Sequence, residues 1–333
     1  MAERPSTAFA MGGEVLDLAF PPQLRERLCA CAELAAEPLT GPLTDAAARA
    51  VLAGTEILVT GWGCPPLTAE VLACAPHLRA VVHAAGSVKP LVTDAVWERG
   101  IVVSSAAEAN AGPVVAFTLA AITFAAKDAL GAAARYSGSW PAFAERPGLD
   151  GRVIGVIGAS RIGRRVIAAL RASDAGHGVL LADPYVGRAE AEGLGADLVS
   201  LGELCARSGI VTVHAPELPE TQGLLSAELL ASMPDGGTVI NTARGALVDT
   251  DALTRECATG RLSAYLDVTH PEPLPPEHAL LSLPNVQVTP HIAGAQGTEV
   301  RRLGAYAVSE VERFVAGEDL QGQVTRAQLA RMA

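Results

Sequence analysis

Aromatic and basic residues are scarce in this chain of 333 residues. Aromatic side chains make up 4% of the sequence, and 25 Lys and Arg residues face 36 Asp and Glu, a formal net charge of −11. We expect no nucleic-acid partner, because proteins that bind a phosphate backbone usually carry basic patches. Half of the residues are hydrophobic, which predicts a globular protein. The length of 333 residues is enough for two domains.

Metal-binding and targeting signals are also missing from the sequence. The six cysteines form no CxxC pair, and their positions in apolar stretches predict buried, reduced thiols in a cytoplasmic protein. The first residues contain no charged segment followed by an apolar one, so no signal peptide is expected. The longest apolar run, Pro113 to Ala126, is shorter than the about 20 helical residues that span a bilayer, so no membrane partner is expected.

Short apolar runs alternate with helix-length segments along most of the chain. This alternation predicts βαβ units and parallel sheets. The first third has strand candidates at 56–61, 78–84 and 100–105, and a long helix is predicted from about Asn110 to Asp128. After a stretch rich in Gly, Ser and Pro come six more strand candidates, the number in a complete dinucleotide-binding sheet. A helix is expected from about Gly297 to Ala316.

The segment VIGVIGASRIGRRV combines a strand, a glycine-bearing turn and the start of a helix. Gly158 and Gly163 occupy the first and third positions of a GxGxxG pattern, where small residues permit the turn and close packing. A pyrophosphate would face the N-terminus of the helix. The next strand ends at Asp183, about twenty residues on, where a carboxylate would accept the ribose hydroxyls. Ser160 stands at the middle glycine, and its hydroxyl can itself donate to phosphate.

Three apolar runs in the last third of the chain each end in a reactive polar residue. The run GTVINTARG ends at Arg244, LSAYLDVTHPEP supplies Asp267 and Glu272, and VQVTPHIAG supplies His291. The carboxyl ends of parallel strands form the sheet edge where ligands bind. One guanidinium, two carboxylates and one imidazole at adjacent strand ends therefore predict an active site. His270 and His278 near Glu272 lack metal-ligand spacing, so no metal is expected.

Together these motifs resemble those of the D-isomer-specific 2-hydroxyacid dehydrogenases. The segments that match, in the family's order and spacing, are GASRIG, ADPY, VHAPELPETQGLL, INTARGALVD, LDVTHPEPL and TPHIAGA, with looser matches at HAAGSV, WERGIVV and NAGPVVAFTL. The resemblance implies an α/β fold of two Rossmann-like domains with parallel sheets, the cofactor domain inserted into the substrate domain. It implies an NAD-binding Rossmann domain at 112–299, a substrate (catalytic) domain at 1–111 and 300–333, and a site in the cleft between them.

The resemblance also implies roles for the residues at the strand ends. Arg244 would bind the substrate carboxylate and polarise its 2-oxo group. His291 would be the acid/base, and Glu272 would be its partner, favouring the imidazolium by opposite charge. Asp267 would lie near the nicotinamide carboxamide.

Two larger groups of candidate residues surround this centre. The cofactor group shares the glycine turn and the strand ends that follow it, and comprises Gly158, Ser160, Arg161, Ile162, Gly163, Asp183, His214, Pro216, Thr221, Thr242, Ala243, Asp267 and Gly294. The substrate group consists of Arg244, the backbone around Ala85, Gly86 and Ser87, and the side chains of Trp62 and Lys89, which follow strand ends in the first third.

Three departures from the family's pattern leave the substrate open. Ser160 replaces a glycine, Ala116 stands where many members carry glutamate, and the HAAGSVKP loop lacks the usual aspartate and is one residue longer. Substrates with a phosphate, phosphonate, aromatic or second carboxylate group are all compatible with the sequence.

The expected function is reversible, NAD-dependent reduction of a small 2-oxo acid to a D-2-hydroxy acid by a homodimer. The dimer is expected to form through the helix at 110–128 and the segment through Trp140. The alternative is a dinucleotide-sensing, corepressor-like binding protein on the same fold, because a fold does not fix a function. Such relatives can retain all three catalytic residues.

Overall fold

The structure, a computed structural model, describes residues 4–138, 140–143 and 146–329. Its strands are β1 Ser6–Ala10, β2 Glu33–Leu34, β3 Ile57–Thr60, β4 Ala80–His83, β5 Val102–Ser105, β6 Val153–Ile157, β7 Gly178–Ala182, β8 Asp197–Leu198, β9 Ile210–Val213, β10 Gly237–Asn241, β11 Leu262–Leu266, β12 Val286–Val288 and β13 Gln323–Val324. Its helices are α1 Gly13–Ala19, α2 Pro22–Cys31, α3 Ala46–Leu52, α4 Ala69–Cys74, α5 Asp94–Glu98, α6 Ala107–Ala126, α7 Ala129–Arg135, α8 Arg161–Ala172, α9 Arg188–Leu194, α10 Leu201–Arg207, α11 Ala227–Ser232, α12 Thr250–Ala258, α13 Val300–Ala316 and α14 Arg326–Leu329.

The chain forms two compact units. The first unit contains the residues up to Gly112 and those from Ala295 onward, and the second runs from Pro113 to Gly294. The first division falls within α6, and the second falls ahead of α13. The second unit is therefore continuous in sequence, whereas the first is assembled from both ends of the chain.

The first unit is built on a six-stranded sheet in the order β13-β5-β4-β3-β1-β2. Its strands are parallel except β13, which pairs antiparallel with β5 at the edge. Three of these strands, β3 to β5, match the predicted ones. Strand β1 was not predicted, because its STAFA sequence lacks a run of β-branched residues, and the two-residue strands β2 and β13 were not predicted either.

Two close contacts join the C-terminal segment to the rest of the first unit. A side chain at Gly304 of α13 would place its Cβ 1.8 Å from the carbonyl oxygen of Ala19, so only glycine allows this approach of α13 to α1. The buried Glu310 carboxylate accepts hydrogen bonds from the Ser104 hydroxyl at 2.5 Å and from the N–H groups of Gln321 and Gly322. These bonds stabilise a carboxylate that would be costly to bury without partners. They also hold Gln321 and Gly322, the two residues directly before β13.

The second unit contains a seven-stranded parallel sheet in the order β12-β11-β10-β9-β6-β7-β8. Six of its strands are those expected from the apolar runs, and β8, only two residues long, is an additional edge strand. The strands are covered by apolar residues on both faces, which is typical of parallel sheets.

Helix α6 is longer than the apolar run on which the expectation of no membrane span was based. It begins at Ala107 and includes Pro113, so it is 20 residues long and, alone among the described helices, has the length and composition to cross a membrane. The apolar run alone is too short because it leaves out the N-terminal turns of the helix. One such helix is weak evidence for a membrane span, because core helices of globular proteins meet the same criteria.

The prediction of buried cysteines is wrong for most of them. Only Cys205 and Cys257 are buried, and burial raises the pKa of these thiols to about 11 and about 12. The others are Cys29, which is exposed, and Cys31, Cys64 and Cys74, which are partly exposed; all six are free thiols.

Candidate active site

The strands of the second unit end level with one another at one edge of the sheet. The paired end residues are Ala182, Ile157, Val213, Asn241, Leu266 and Val288. Each is followed at once by a polar or glycine residue. The predicted site residues among these followers are Asp183, Gly158, His214, Thr242 and Asp267, and Thr289 is the one that was not predicted. In-register parallel pairing thus brings residues that are distant in sequence to one edge.

The glycine turn after β6 is required by close backbone contacts. Gly158 has φ +93°, and a Cβ there would lie 2.8 Å from the Ala215 nitrogen. A Cβ at Gly163 would lie 2.0 Å from the Gly158 carbonyl oxygen. Both positions therefore exclude side chains, as expected for a turn that holds a pyrophosphate at a helix N-terminus.

Ser160 caps the helix that follows this turn. Its Oγ accepts a hydrogen bond from the Gly163 N–H at 3.3 Å, so the residue is the N-cap of α8. The hydroxyl proton is not used in that bond. A serine at the middle glycine position is therefore compatible both with the fold of the turn and with a bound phosphate. Arg161 and Ile162, also predicted to bind cofactor, form the first turn of α8.

Asp183 is linked to the glycine turn through its carboxylate. Its Oδ2 accepts from the Ala159 N–H at 2.7 Å, and its Oδ1 accepts from the Tyr185 N–H at 2.8 Å. The carboxylate is only partly buried, and each oxygen retains a lone pair. It is therefore both an anchor of the turn and an available acceptor for hydroxyl groups.

Three further candidates for cofactor binding follow β9, namely His214, Pro216 and Thr221. His214 is buried, lies 3.0 Å through its Nε2 from Oγ1 of Thr212, and has its pKa lowered to about 3 by burial, so its ring is neutral. Thr221 holds the loop that begins at Pro216. Its hydroxyl donates to the Pro216 carbonyl at 2.7 Å and accepts from the Leu218 N–H at 2.8 Å.

Arg244 lies on a tight turn after β10. The Asn241 side chain closes this turn by donating to the Arg244 carbonyl at 2.8 Å and accepting from the Ala243 N–H at 3.0 Å. A Cβ at Gly245 would lie 2.0 Å from the Thr269 carbonyl, so the turn packs directly against the chain that leads to Glu272. The guanidinium donates to the Ala243 carbonyl, and no carboxylate in the described part of the chain forms an ion pair with it. It is therefore available to an anionic ligand.

Two residues that contact this turn were not predicted from the sequence. Asn241 shapes the Arg244 turn, and a polar amide at the end of an apolar strand was the signal available for it. The hydroxyl of Thr118, on α6, donates to the Val114 carbonyl at 2.8 Å and lies 2.9 Å from the Thr242 hydroxyl. Because the Thr118 proton is already used, Thr242 donates to Thr118. No local pattern indicates a pairing across 124 residues.

Asp267 fixes the loop that carries His291. Its buried carboxylate accepts from the Thr289 hydroxyl at 2.6 Å, the Ile292 N–H at 2.8 Å and the Ala293 N–H at 2.8 Å. Its carbonyl accepts from the His291 N–H at 2.9 Å. His291 has φ +55°, a left-handed conformation that costs energy for a residue with a Cβ. The hydrogen bonds to Asp267 hold it there.

His291 and Glu272, predicted from the sequence to be the acid/base and its partner, lie within hydrogen-bond distance of each other. Nδ1 of His291 lies 2.9 Å from Oε1 of Glu272, and about half of each side chain is exposed. Glu272 sits between Pro271 and Pro273, which restrict the backbone that presents it. Because Nδ1 faces the carboxylate, the other ring nitrogen, Nε2, is left for a substrate. The unit ends three residues later, at Gly294, the last of the predicted cofactor residues.

The substrate candidates of the first unit lie at the ends of β3 and β4. Ala85 is buried, whereas Gly86 and Ser87 are partly exposed. In the described part of the chain, no hydrogen bond uses the N–H of any of these three residues. Backbone N–H groups that are not used within the protein can donate to a carboxylate. Trp62 is 41% exposed, so its ring is accessible, and Lys89 is partly exposed.

The described residues contain no group of three or more His, Cys, Asp or Glu side chains placed to hold a metal ion.

Comparison with known proteins identifies the family. Residues 120–293 match the model of the D-isomer specific 2-hydroxyacid dehydrogenase NAD binding domain. The chain is also 34% identical over 281 residues, 84% of its length, to a D-3-phosphoglycerate dehydrogenase of Mycobacterium bovis. The chain belongs to the D-isomer-specific 2-hydroxyacid dehydrogenase family. Its cofactor is NAD, and the resemblance inferred from the motifs is confirmed. The chain spans about half the length of the curated relatives it matches, 52% in the case of the M. bovis protein.

Solved structures agree with this family fold. A protein from Thermus thermophilus is 32% identical, with a TM-score of 0.74 and coverage of 97% of this chain and 100% of that one. The D-mandelate dehydrogenase of Rhodotorula graminis matches with a TM-score of 0.81 over 97% of this chain and 98% of that one, and its 23% identity supports the fold alone. The predicted fold class, two Rossmann-like domains with mainly parallel sheets, is confirmed.

Proposed function

We propose that this family member reversibly reduces a small 2-oxo acid to the D-2-hydroxy acid, with His291 as the acid/base. The single observation that carries the proposal is the 2.9 Å contact between Nδ1 of His291 and Glu272, in the same unit as an arginine that no described carboxylate neutralises. An imidazole oriented by a carboxylate is suited to proton transfer, and a guanidinium is suited to a carboxylate or an alkoxide.

Arg244 supplies the charge for the anionic groups of the substrate. Its planar fork of N–H donors matches a carboxylate, and the positive charge stabilises the oxygen that becomes negative as the carbonyl is reduced. The Asn241 side chain and the Gly245 contact hold the turn on which the guanidinium is mounted. In the first unit, the N–H groups of Ala85, Gly86 and Ser87 offer further donors for the substrate carboxylate.

His291 handles the proton. In the direction of reduction, the protonated ring donates from Nε2 to the carbonyl oxygen, and in the direction of oxidation it accepts that proton from the hydroxyl. Glu272 holds the ring by Nδ1 and stabilises its charged form by opposite charge. Asp267 holds the backbone of His291 through the carbonyl contact at 2.9 Å.

The glycine turn and the strand ends fit the dinucleotide. The contacts at Gly158 and Gly163 leave no room for side chains where the pyrophosphate would lie, and Asp183 offers oxygens to the ribose. When NADH is bound, it supplies the hydride that adds to the carbonyl carbon. We propose the remaining cofactor contacts for the strand-end residues already described.

The experiment that tests this function is NADH oxidation with a panel of 2-oxo acids. The panel should hold glyoxylate, pyruvate, hydroxypyruvate, phenylpyruvate and phosphonopyruvate, with D-3-phosphoglycerate and NAD in the reverse direction because the relatives are named for it. We expect turnover with at least one acid, and loss of about 10²–10⁴-fold in His291→Ala with NADH binding retained. NADH binding without turnover of any acid would favour the dinucleotide-sensing alternative, as would full activity in His291→Ala.

We propose further that the chain forms a homodimer through α6 and the segment around Trp140. Large apolar side chains are exposed there: Phe124 at 55%, Trp140 at 83% and Phe143 at 85%. A concentration of exposed apolar side chains is typical of an interface. Light scattering at micromolar concentration should give twice the monomer mass, whereas a monomeric mass would reject the proposal.

A further inference from the structure

An arginine that was not among the predicted cofactor residues contacts the glycine turn after β6. Arg164 is the fourth residue of α8, a helix whose first turn contains no acidic residue. Positive side chains near a helix N-terminus are unfavourable, because the N–H dipoles there favour negative charge. The position of Arg164 therefore does not serve the stability of the helix, and its contacts indicate what it does instead.

The guanidinium of Arg164 joins the glycine turn to α9. Its Nε donates to the Ala159 carbonyl at 2.8 Å, and its Nη2 donates to Oε1 of Glu190, on α9, at 2.6 Å. The donors of a guanidinium lie in a fixed planar fork. The bond to Glu190 therefore sets the direction from which Nε meets the Ala159 carbonyl.

The Ala159 carbonyl belongs to the same peptide unit as the Ser160 N–H. This peptide is trans and planar, so its C=O and N–H groups point in opposite directions. The bond from Arg164 to the carbonyl thus directs the Ser160 N–H away from the guanidinium. In the described part of the chain, no hydrogen bond uses the Ser160 N–H, which lies at the N-cap of α8, where the pyrophosphate is proposed to lie.

The preceding peptide of the turn is held by other groups. Its N–H, that of Ala159, donates to Oδ2 of Asp183 at 2.7 Å. Its carbonyl, that of Gly158, packs against Gly163, where a Cβ would lie 2.0 Å from the oxygen. Because Ala159 is buried, water is a poor substitute for the guanidinium as the partner of its carbonyl. Arg164 is therefore the group that favours the observed orientation of the second peptide.

We infer that Arg164 is a positioning residue for the dinucleotide, which fixes the Ala159–Ser160 peptide so that the Ser160 N–H faces the pyrophosphate. Glu190 holds the guanidinium in the orientation that this requires. The inference rests on the proposed position of the pyrophosphate at the glycine turn. Without the guanidinium the peptide can rotate, and the Ser160 N–H then faces the phosphate for a smaller share of the time.

Three variants separate positioning from direct attraction of the phosphate by charge. Arg164→Met removes the donors and keeps most of the length of the side chain, whereas Arg164→Lys keeps the charge without the planar fork. Glu190→Ala removes the partner of Arg164 together with a negative charge. Loss of positioning would weaken the binding of a pyrophosphate in this variant, whereas loss of a negative charge alone would strengthen it. Arg171→Met is the matched control, because Arg171 lies at the other end of α8 and donates to the His177 carbonyl.

The test measures the Kd of NADH from its fluorescence, and those of ADP-ribose and adenosine from displacement of NADH. ADP-ribose contains the pyrophosphate, whereas adenosine contains no phosphate. We expect Arg164→Met to raise the Kd of NADH and of ADP-ribose about five- to tenfold, Arg164→Lys by less, and Glu190→Ala about two- to threefold, consistent with a weakened hydrogen bond to a charged group. The Kd of adenosine should stay within about twofold, and Arg171→Met should match the wild type.

The outcomes separate this inference from the proposed function. A wild-type protein that binds ADP-ribose but reduces no 2-oxo acid would reject the proposed reaction and leave the inference open to the same variants. A wild type that binds neither NADH nor ADP-ribose would reject the site and the inference with it. An unchanged Kd of ADP-ribose in folded Arg164→Met would reject the inference alone.

Two further results would also overturn the positioning role. Equal weakening of ADP-ribose and adenosine would show a general loosening of the unit. Tighter binding in Glu190→Ala, together with full rescue by Arg164→Lys, would show direct attraction of the phosphate by charge. If Arg164→Met does not fold, Arg164→Lys and Glu190→Ala decide.

Discussion

The N–H of Ala293 donates to Oδ2 of Asp267 at 2.8 Å, across 26 residues of sequence. Together with the bonds from Ile292 and Thr289, this contact makes the Asp267 carboxylate the anchor of the loop that presents His291. The family resemblance predicts Asp267 beside the nicotinamide. The hydrogen bonds give it a second task that can be tested separately.

Asp267→Asn should slow the reaction by loosening this loop. The amide would direct an NH2 group at a backbone N–H donor, and an unsatisfied buried donor costs about 1–3 kcal/mol. We expect kcat to fall about tenfold or more, with faster hydrogen exchange at the amides of Ile292 and Ala293. Thr289→Val, the control, removes one donor and should retain most of the activity. Unchanged exchange at both amides would show that the carboxylate does not anchor the loop.

Glu272→Leu should slow reduction by removing the group that orients the His291 ring through the 2.9 Å contact with Nδ1. Leucine offers no oxygen to Nδ1, whereas the glutamine of Glu272→Gln keeps one, so Glu272→Gln should retain more of the activity. We expect kcat to fall about tenfold or more in Glu272→Leu, with the Kd of NADH unchanged. Full activity in folded Glu272→Leu would mean that Glu272 is not the partner of His291.

Asp183→Ala should weaken NADH binding and narrow the preference for NADH over NADPH. The carboxylate can accept the ribose hydroxyls and repels a 2′-phosphate, and Pro184 and Tyr185, which follow it, supply no positive charge. The variant also removes the acceptor of the Ala159 N–H, which should make the glycine turn more mobile. Part of the lost NADH affinity should come from that mobility. Asp174→Ala, at an exposed carboxylate of the same unit, is the control. Equal efficiency of the wild type with both cofactors would contradict the prediction.

Acid should destabilise both units through buried histidines. Burial lowers the pKa of His83 to about 4 and of His214 to about 3, against 6.5 in an unfolded chain. Between pH 6.5 and 4 the unfolded chain binds protons that the folded chain does not, so the free energy of unfolding falls as the pH falls. At pH 5 each histidine should account for a loss of about 2 kcal/mol.

Urea unfolding at pH 7 and pH 5 measures this loss. His83→Asn and His214→Asn should each reduce the difference in the free energy of unfolding between pH 7 and pH 5, while His77→Gln, at an exposed histidine, should leave that difference as in the wild type. A pH dependence that is the same in all four proteins would place the acid sensitivity in other groups.

The fold class could be predicted from the sequence, because the apolar runs indicate buried parallel strands and the glycine turn indicates a strand-to-helix connection. Gly158 and Gly163 were identified from spacing, and the contacts a Cβ would make there explain why the spacing is needed. Arg244, Glu272 and His291 were predicted because each follows an apolar run, and the structure places the ends of these three strands in register.

Features that depend on contacts between distant residues were not predictable in the same way. The pairing of Thr118 with Thr242 and the hydrogen bond between His83 and Thr60 arise from packing, and neither leaves a local pattern. The strand β13 is two residues long and pairs with a strand more than 200 residues earlier, so no propensity could indicate it. The start of α6 was misplaced because its first turn, before Pro113, contains polar residues as well as alanine.

The discontinuous first unit has a consequence for the order in which the protein takes shape during synthesis. Domains generally fold as units as the chain emerges. Residues 113–294 leave the ribosome as one uninterrupted segment, whereas β1 to β5 emerge long before α13 and β13, which complete their sheet and its cover. The edge of β5 that later pairs with β13 is therefore unpaired throughout translation of the second unit. The first unit can complete its packing only after α13 emerges, when Gly304 meets Ala19.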